Sequence, residues 1–155
     1  MTGGYLLVRV EGRPYGLPLA GVLEVDDAAE VLEVPRVLPA MRGLTPRRGR
    51  LVPLVHLGAL LGDRSPPAER GRATVFVELG PAPAGREGAA VGGVGGVGVT
   101  HRLVALEVDD ADEVVRTAAL PMPPGESMPW AGGVAQHEET LVPILDLAVL
   151  EDRMQ

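Results

Sequence analysis

The segment Gly43-Leu-Thr-Pro-Arg-Arg-Gly-Arg-Leu-Val-Pro-Leu-Val-His-Leu-Gly-Ala-Leu-Leu-Gly62 decides the fold, because the chain writes it twice. A polar turn holding Arg47, Arg48 and Arg50 runs into an apolar, strand-like stretch interrupted by Pro53. Ninety residues on, Gly133-Val-Ala-Gln-His-Glu-Glu-Thr-Leu-Val-Pro-Ile-Leu-Asp-Leu-Ala-Val-Leu150 repeats it. Gly43 returns as Gly133, Leu51-Val52-Pro53 as Leu141-Val142-Pro143, Leu57 as Leu147 and Leu60 as Leu150. The apolar parts match and the turns do not: the first is basic, the second, around Glu138 and Glu139, acidic. One structural unit is used twice, and function is expected on one copy.

A second phrase precedes each copy. Leu23-Glu-Val-Asp-Asp-Ala-Ala-Glu-Val31 recurs as Leu106-Glu-Val-Asp-Asp-Ala-Asp-Glu-Val114, identical at eight of nine positions. Each leads to a proline-marked turn, at Pro39 and Pro121. Coding bias competes as an explanation of the nonapeptide, but two matched phrases in one order point to a duplicated supersecondary unit rather than a solenoid.

Around these phrases the chain reads as strands. Tyr5–Val10 is apolar and β-prone and ends in the turn-like Glu11-Gly12-Arg13-Pro14. Tyr15–Val25 is expected as a second strand, with Pro18 at an edge or bulge because it has no amide hydrogen for a ladder. Ala73–Leu79 and His101–Val108 are further strands, and Val114-Val115 belongs to the next. Pro121–Pro129 is expected extended, with Trp130 plugging an apolar gap, and Pro81–Gly98 as a Gly/Ala/Pro surface loop. Helix is confined to Leu57–Leu61 and Leu147–Met154. The expected fold is all-β: two small five-stranded β-barrels packed together, with one or two short helices. The chain, 1–155, is then a single domain of two intertwined subdomains, roughly 15–75 and 100–150, sharing the N-terminal strand and connectors.

Composition narrows the function. Apolar residues make up 46% and aromatics 3%, so the core is aliphatic. A net charge of −7 and few aromatics argue against nucleic acid, which needs a basic footprint and stacking platforms. There is no cysteine, so no disulfide, thiolate nucleophile or Cys-type zinc site is possible. No segment offers the unbroken apolar length of a membrane span, and no signal peptide opens the chain.

Motifs for chemistry are weak. Gly93-Val-Gly-Gly-Val-Gly98 matches G-x-G-x-x-G but lacks the strand before and helix after that would aim a phosphate at a helix end. His56, His101 and His137 share no metal-ligand spacing. Ser65 and Ser127 lie in proline-rich coil without a nucleophile elbow. The doublets Asp26-Asp27 and Asp109-Asp110 recur at matching places and are expected as turn formers. Pro53 and Pro143 mark a barrel rim or a strand bend. Arg47-Arg48-Gly49-Arg50 is a local basic exception in an acidic chain: a solvated turn or a protein contact, where the guanidinium fork grips carboxylates.

In order and spacing these motifs resemble the CheW-like chemotaxis coupling family over nearly the whole chain. Tyr15-Gly-Leu-Pro-Leu-x-x-Val-x-Glu-Val25 is similar to the family's second-strand pattern. Gly43-x-x-x-x-Arg48-Gly49-x-x-Val52-Pro53-x-x-x-Leu57 resembles its hallmark G-x-x-N-L-R-G-x-x-x-P-V-x-D-L, and the close of the chain resembles its second barrel. The resemblance implies two five-stranded barrels and a non-catalytic, cofactor-free adaptor. That adaptor bridges the cytoplasmic tip of chemoreceptors to the regulatory domain of a CheA-type histidine kinase. It is expected in the cytoplasm, recruited to the inner face of the membrane through receptor arrays, and monomeric on its own. One barrel is expected to meet the kinase and the inter-barrel groove the receptor. The partner-binding residues it implies are Arg48 and Glu24, with Val22 and Gly43 in the same pattern; Arg47 and Arg50 share the basic turn. Pro46-Arg47 departs from the family's Asn-Leu, and His56 from its Asp. The rivals are an adaptor of twitching motility or another two-component pathway, and a small enzyme using the groove with Glu24 or His56 as base.

Overall fold

The computed structural model describes residues 4–35, 38–79, 102–116, 120–121 and 128–154. The Pro81–Gly98 stretch with its glycine motif, and most of Pro121–Pro129, lie outside them. Strands β1 (Tyr5–Val10) and β2 (Arg13–Pro18) form a hairpin whose two turn residues, Glu11 and Gly12, take φ of 53° and 80°. Two successive positive φ values give the turn that matches the twist of antiparallel strands. The expected strand to Val25 is broken. Pro18 ends β2, a 3-10 turn follows at Leu19–Gly21, and β3 (Val22–Asp27) enters a different sheet.

Next come β4 (Met41–Arg47), β5 (Arg50–His56), helix α1 (Leu57–Gly62) and β6 (Ala73–Leu79). They are followed by β7 (Arg102–Val108), β8 (Asp110–Val115), β9 (Leu120–Pro121), β10 (Ala131–His137), β11 (Thr140–Leu145) and α2 (Leu147–Arg153). One sheet runs β3-β6-β7-β5-β4 and the other β8-β1-β2-β11-β10-β9. In each, the first five strands pair antiparallel, antiparallel, parallel, antiparallel. The early hairpin β1–β2 and the late strand β7 are thus exchanged between sheets.

The repeated hairpin keeps its offset of ninety in every pair. Leu44↔Pro53 corresponds to Val134↔Pro143, Thr45↔Val52 to Ala135↔Val142 and Arg47↔Arg50 to His137↔Thr140, with a bulge at the same place in both. Both prolines are tolerated because the parallel ladders begin one residue later, at Leu54 and Ile144. The turns before the hairpins also match: Met41 donates to the Leu38 carbonyl and Ala131 to that of Met128, each at 3.1 Å. The counterpart of Pro39 is therefore Pro129, not Pro121.

The nonapeptide does not share this symmetry. Glu24 sits in β3 opposite Phe76, and the residue in the corresponding register is Glu113, opposite Leu7. Glu107, its partner by sequence identity, lies in β7, beside β6. Asp26-Asp27 close a strand, whereas Asp109-Asp110 stand at the β7–β8 junction. The doublets are not at equivalent places.

The sheets are not closed into barrels. The edges β3 and β4 share no ladder; Leu32 exchanges backbone hydrogen bonds with Leu44 (2.7 and 2.9 Å) and occupies the β4 edge. In the other sheet β9 does the same, with Leu120 opposite Val134. A filled edge leaves the outer strand of each sheet to reach across with side chains.

Both helices are launched by a cap at the same register. Asp146 Oδ1 accepts from Ala148 and Val149 N–H (3.0 and 3.3 Å), and His56 Nδ1 accepts from Ala59 N–H at 3.0 Å. His56 is buried, and burial lowers its pKa below the ordinary histidine value; Glu107 and Glu11 oppose that shift, while Arg42 and Arg64 add to it. The cap also needs Nδ1 free of a proton. The folded state thus binds a proton less readily than the unfolded chain. The stability contributed by neutral His56 is complete above about pH 6.5 and is lost as pH falls through the lowered folded value. Urea titrations at pH 7.5 and 5.5 are expected to show that loss in the wild type. His56→Asn, which keeps the cap acceptor, should show a smaller loss, and His56→Ala should cost about 1 kcal/mol at pH 7.5.

Candidate functional site

The sheet edges β3 and β4 are held together by charge. Glu24 projects from β3, and Arg47, the last residue of β4, meets its Oε1 through Nε at 3.0 Å and Nη2 at 2.8 Å. The Arg47 guanidinium also stands over the Phe76 ring of β6, 5.1 Å from its centre. Ion pair and ring contact together fix a long, flexible side chain that would otherwise sample solvent. Arg48 lies one residue on, at φ 52°, with Gly49 completing the turn at φ 81°. It approaches Glu24 only to 3.5 Å, and its side chain is 73% exposed, against 17% for Arg47.

The basic turn therefore divides its labour. Arg47 is a clasp and Arg48 is presented to solvent. Arg50 starts β5 opposite Arg47 and is exposed, as is Leu51 beside it. Leu23 and Val25, flanking Glu24 on β3, are exposed too. The structure brings Glu24, Arg47 and Arg48 into one cluster, with Arg50 adjoining. It does not bring in Val22 and Gly43. Val22 packs against the main core. Gly43 follows the β4 bulge, where an added Cβ would lie 2.5 Å from the Leu32 carbonyl oxygen, so only glycine lets that edge contact form.

The second sheet carries the same clasp in acidic form. Glu113 of β8 contacts His137 Nε2 at 3.2 Å, and His137 stands where Arg47 does in the first hairpin. Glu138 replaces Arg48 and is strongly exposed, next to the exposed Leu141. The two hairpins thus share a register and differ at their tips: Arg48 and Gly49 both take positive φ in the basic one, Glu138 alone does in the acidic one, and each carries an exposed leucine.

Glu107 illustrates what the sequence concealed. It is 1% exposed and binds Arg42 Nε and Arg70 Nε, both at 2.6 Å. The two guanidinium groups then donate to the carbonyls of Glu69 and Ala29, each at 2.9 Å. This triad ties two connectors to β7. Its one sequence signal was a carboxylate inside the apolar run Leu103–Val108.

Neither proposed base is placed for acid–base work. Glu24 is neutralised by two arginines, and His56 Nδ1 is committed to a helix end. An apolar cleft of about 120 Å³ opens between Met154, just past α2, and Leu38, Met41, Pro53, Val55 and Leu103. At the matching place in the other sheet, Arg13, Tyr15, Met128, Trp130 and Pro143 line a wider one of about 480 Å³, where Trp130 packs edge-on against Tyr15 at 5.6 Å.

A family model described as CheW-like domain matches residues 4–153. Among solved structures, that of the scaffolding protein TtCheW from Thermoanaerobacter tengcongensis is similar, with TM-score 0.72 and 19% identity, over 97% of this chain and 92% of that one. At this identity the likeness is one of fold. A comparison with curated proteins gave no match.

Arg47→Ala removes ion pair and ring contact together and is expected to lower stability by about 0.5–1.5 kcal/mol in urea titration. Arg48→Ala should change it by less than about 0.5 kcal/mol. The exchange Glu24→Arg/Arg47→Glu should recover part of the Arg47→Ala loss.

Proposed function

The chain belongs to the CheW-like domain family, scaffolds of chemotaxis signalling, and from that membership we propose that it couples chemoreceptors to a CheA-type histidine kinase without catalysing a reaction. The observations that best support a two-partner adaptor are a basic hairpin tip with an exposed leucine and, as a second surface, the apolar cleft beside Met154. A docking surface needs an apolar centre and a polar rim that selects the partner. Leu51 with Arg48 and Arg50 supplies one such surface. The cleft between Met154 and Leu38, Met41, Val55 and Leu103 supplies the apolar centre of another.

In this reading Arg48 is the charged anchor for the kinase regulatory domain, and Glu24 and Arg47 hold its turn. The apolar cleft beside Met154 receives the receptor tip. Residues 1–155 form one domain, monomeric alone and working in the cytoplasm at receptor arrays. No described helix is long and apolar enough to cross a membrane. The adaptor transmits a receptor's state only by binding its partners differently in the two states, since a ligand indifferent to both shifts nothing.

Arg48→Glu is expected to leave the urea midpoint unchanged and to weaken binding to a purified CheA-type regulatory domain by ~1–3 kcal/mol, about 5- to 150-fold in Kd. Calorimetry with that domain is the measurement. An unchanged Kd removes Arg48 from the interface.

A further inference from the structure

A cavity of about 220 Å³ lies between the end of β3 and the β4–β5 hairpin, lined by Asp26, Asp27, Glu30, Thr45, Thr74 and Phe76. The duplication shows what is unusual about it. By register, Asp26 opposite Thr74 corresponds to Val115 opposite Tyr5, and Thr45 to Ala135. In the six-stranded sheet Tyr5 and Ala135 are buried in a small apolar cluster with Leu7, Val142 and Ile144, and Val115 packs against it. The five-stranded sheet has Asp, Thr and Thr at those three positions, and the space is a cavity.

The fold leaves acceptor capacity on the polar groups there. Thr45 is 2% exposed and lines the cavity, and no hydrogen bond joins its hydroxyl to another described residue. Thr74 donates its hydroxyl hydrogen to the Asp27 carbonyl at 2.9 Å, which leaves that oxygen free to accept. Asp26, Asp27 and Glu30 form no ion pair among the described residues; Asp26 Oδ1 accepts only from the Asp27 N–H. Two neighbouring arginines are engaged elsewhere: Arg47 with Glu24, and Arg70 with Glu107 and the Ala29 carbonyl. The space is large enough for a small ligand of several heavy atoms.

We propose that this cavity is a binding site for a primary ammonium group on a short aliphatic stem. Three N–H donors match a set of acceptors made of hydroxyls and carboxylates, and the Phe76 side wall and Pro46 take the stem. The same chemistry is offered by a free small amine and by a lysine side chain of a partner. The site is independent of the adaptor assignment, since neither Arg48 nor the hairpin leucines belong to it.

The test is an amide NMR titration of the full chain with n-butylammonium, with tetramethylammonium as control. Saturable shifts confined to Asp26–Glu30, Thr45 and Thr74 are expected, with tetramethylammonium weaker by about tenfold or more. Asp26→Val/Thr45→Ala, which installs the residues of the other sheet, should abolish them. Asp26→Asn, a near-isosteric change, should weaken them if the double variant does not fold. A blocked Gly-Lys-Gly peptide separates the sources: tighter binding than butylammonium identifies a partner's lysine, weaker binding a free amine. Absence of saturation at millimolar amine, shifts elsewhere, equal response to tetramethylammonium, or shifts unaffected by Asp26→Asn overturns the proposal.

Discussion

Neither sheet keeps its apolar face from water without the other, and everything else in the molecule accommodates that constraint. Leu6, Val8 and Leu17 from one sheet meet Val55, Val75, Val77 and Leu106 from the other, with Leu57, Leu60 and Leu150 of the helices closing the same cluster. Strand alternation feeds a second layer. Tyr5 and Leu7 point away from that core into a cluster with Val142 and Ile144, as Phe76 does with Val52 and Leu54. Strands covered on both faces have little room for charge, and at roughly 25 cal/mol per Å² each aliphatic side chain there opposes substitution. Variation between the two copies is pushed outward, to turns and sheet rims, where one hairpin became basic and the other acidic.

That division explains which parts of the fold were legible in the sequence. Hairpin, bulge and helix start form one local unit, so an offset of ninety in the sequence is an offset of ninety in the register. The nonapeptide misled because strand identity depends on distant partners. The same letters around Glu24 and Glu107 make an outer strand in one place and a strand between two others in the next. The break after Pro18 was signalled by the missing amide hydrogen, but its consequence, a change of sheet, was not. Closed barrels were expected from many short strands, the duplication and the family resemblance. Which strand sits at an edge, and that Leu32 and Leu120 fill it, follows from long-range pairing that periodicity does not record.

At the candidate site, the family pattern drew attention to Glu24 and Arg48 and passed over Arg47, which takes the place of the pattern's leucine. Arg47 grips Glu24 more closely than Arg48 does, because a residue at the end of β4 faces the curled edge while the next residue, at positive φ, turns outward. No spacing rule relates positions 24 and 47, since they sit on opposite margins of one sheet. His56 had the reverse history. Its departure from aspartate looked like a chemical novelty, and the structure gives it the structural task that Asp146 performs ninety residues later.

The exchange of strands between sheets sets the order in which the chain can be assembled. Leu6 pairs with Val114 and Gly16 with Ile144, so the N-terminal hairpin waits for roughly a hundred residues of chain before its sheet exists. At ~5–20 residues per second of synthesis that is about 5–20 s with apolar edges unpaired on the ribosome. High contact order of this kind slows folding and lengthens exposure to wrong partners. A rigid two-faced scaffold is thus obtained at the expense of a vulnerable nascent state, in which a chaperone or an early contact with α1 has most to protect.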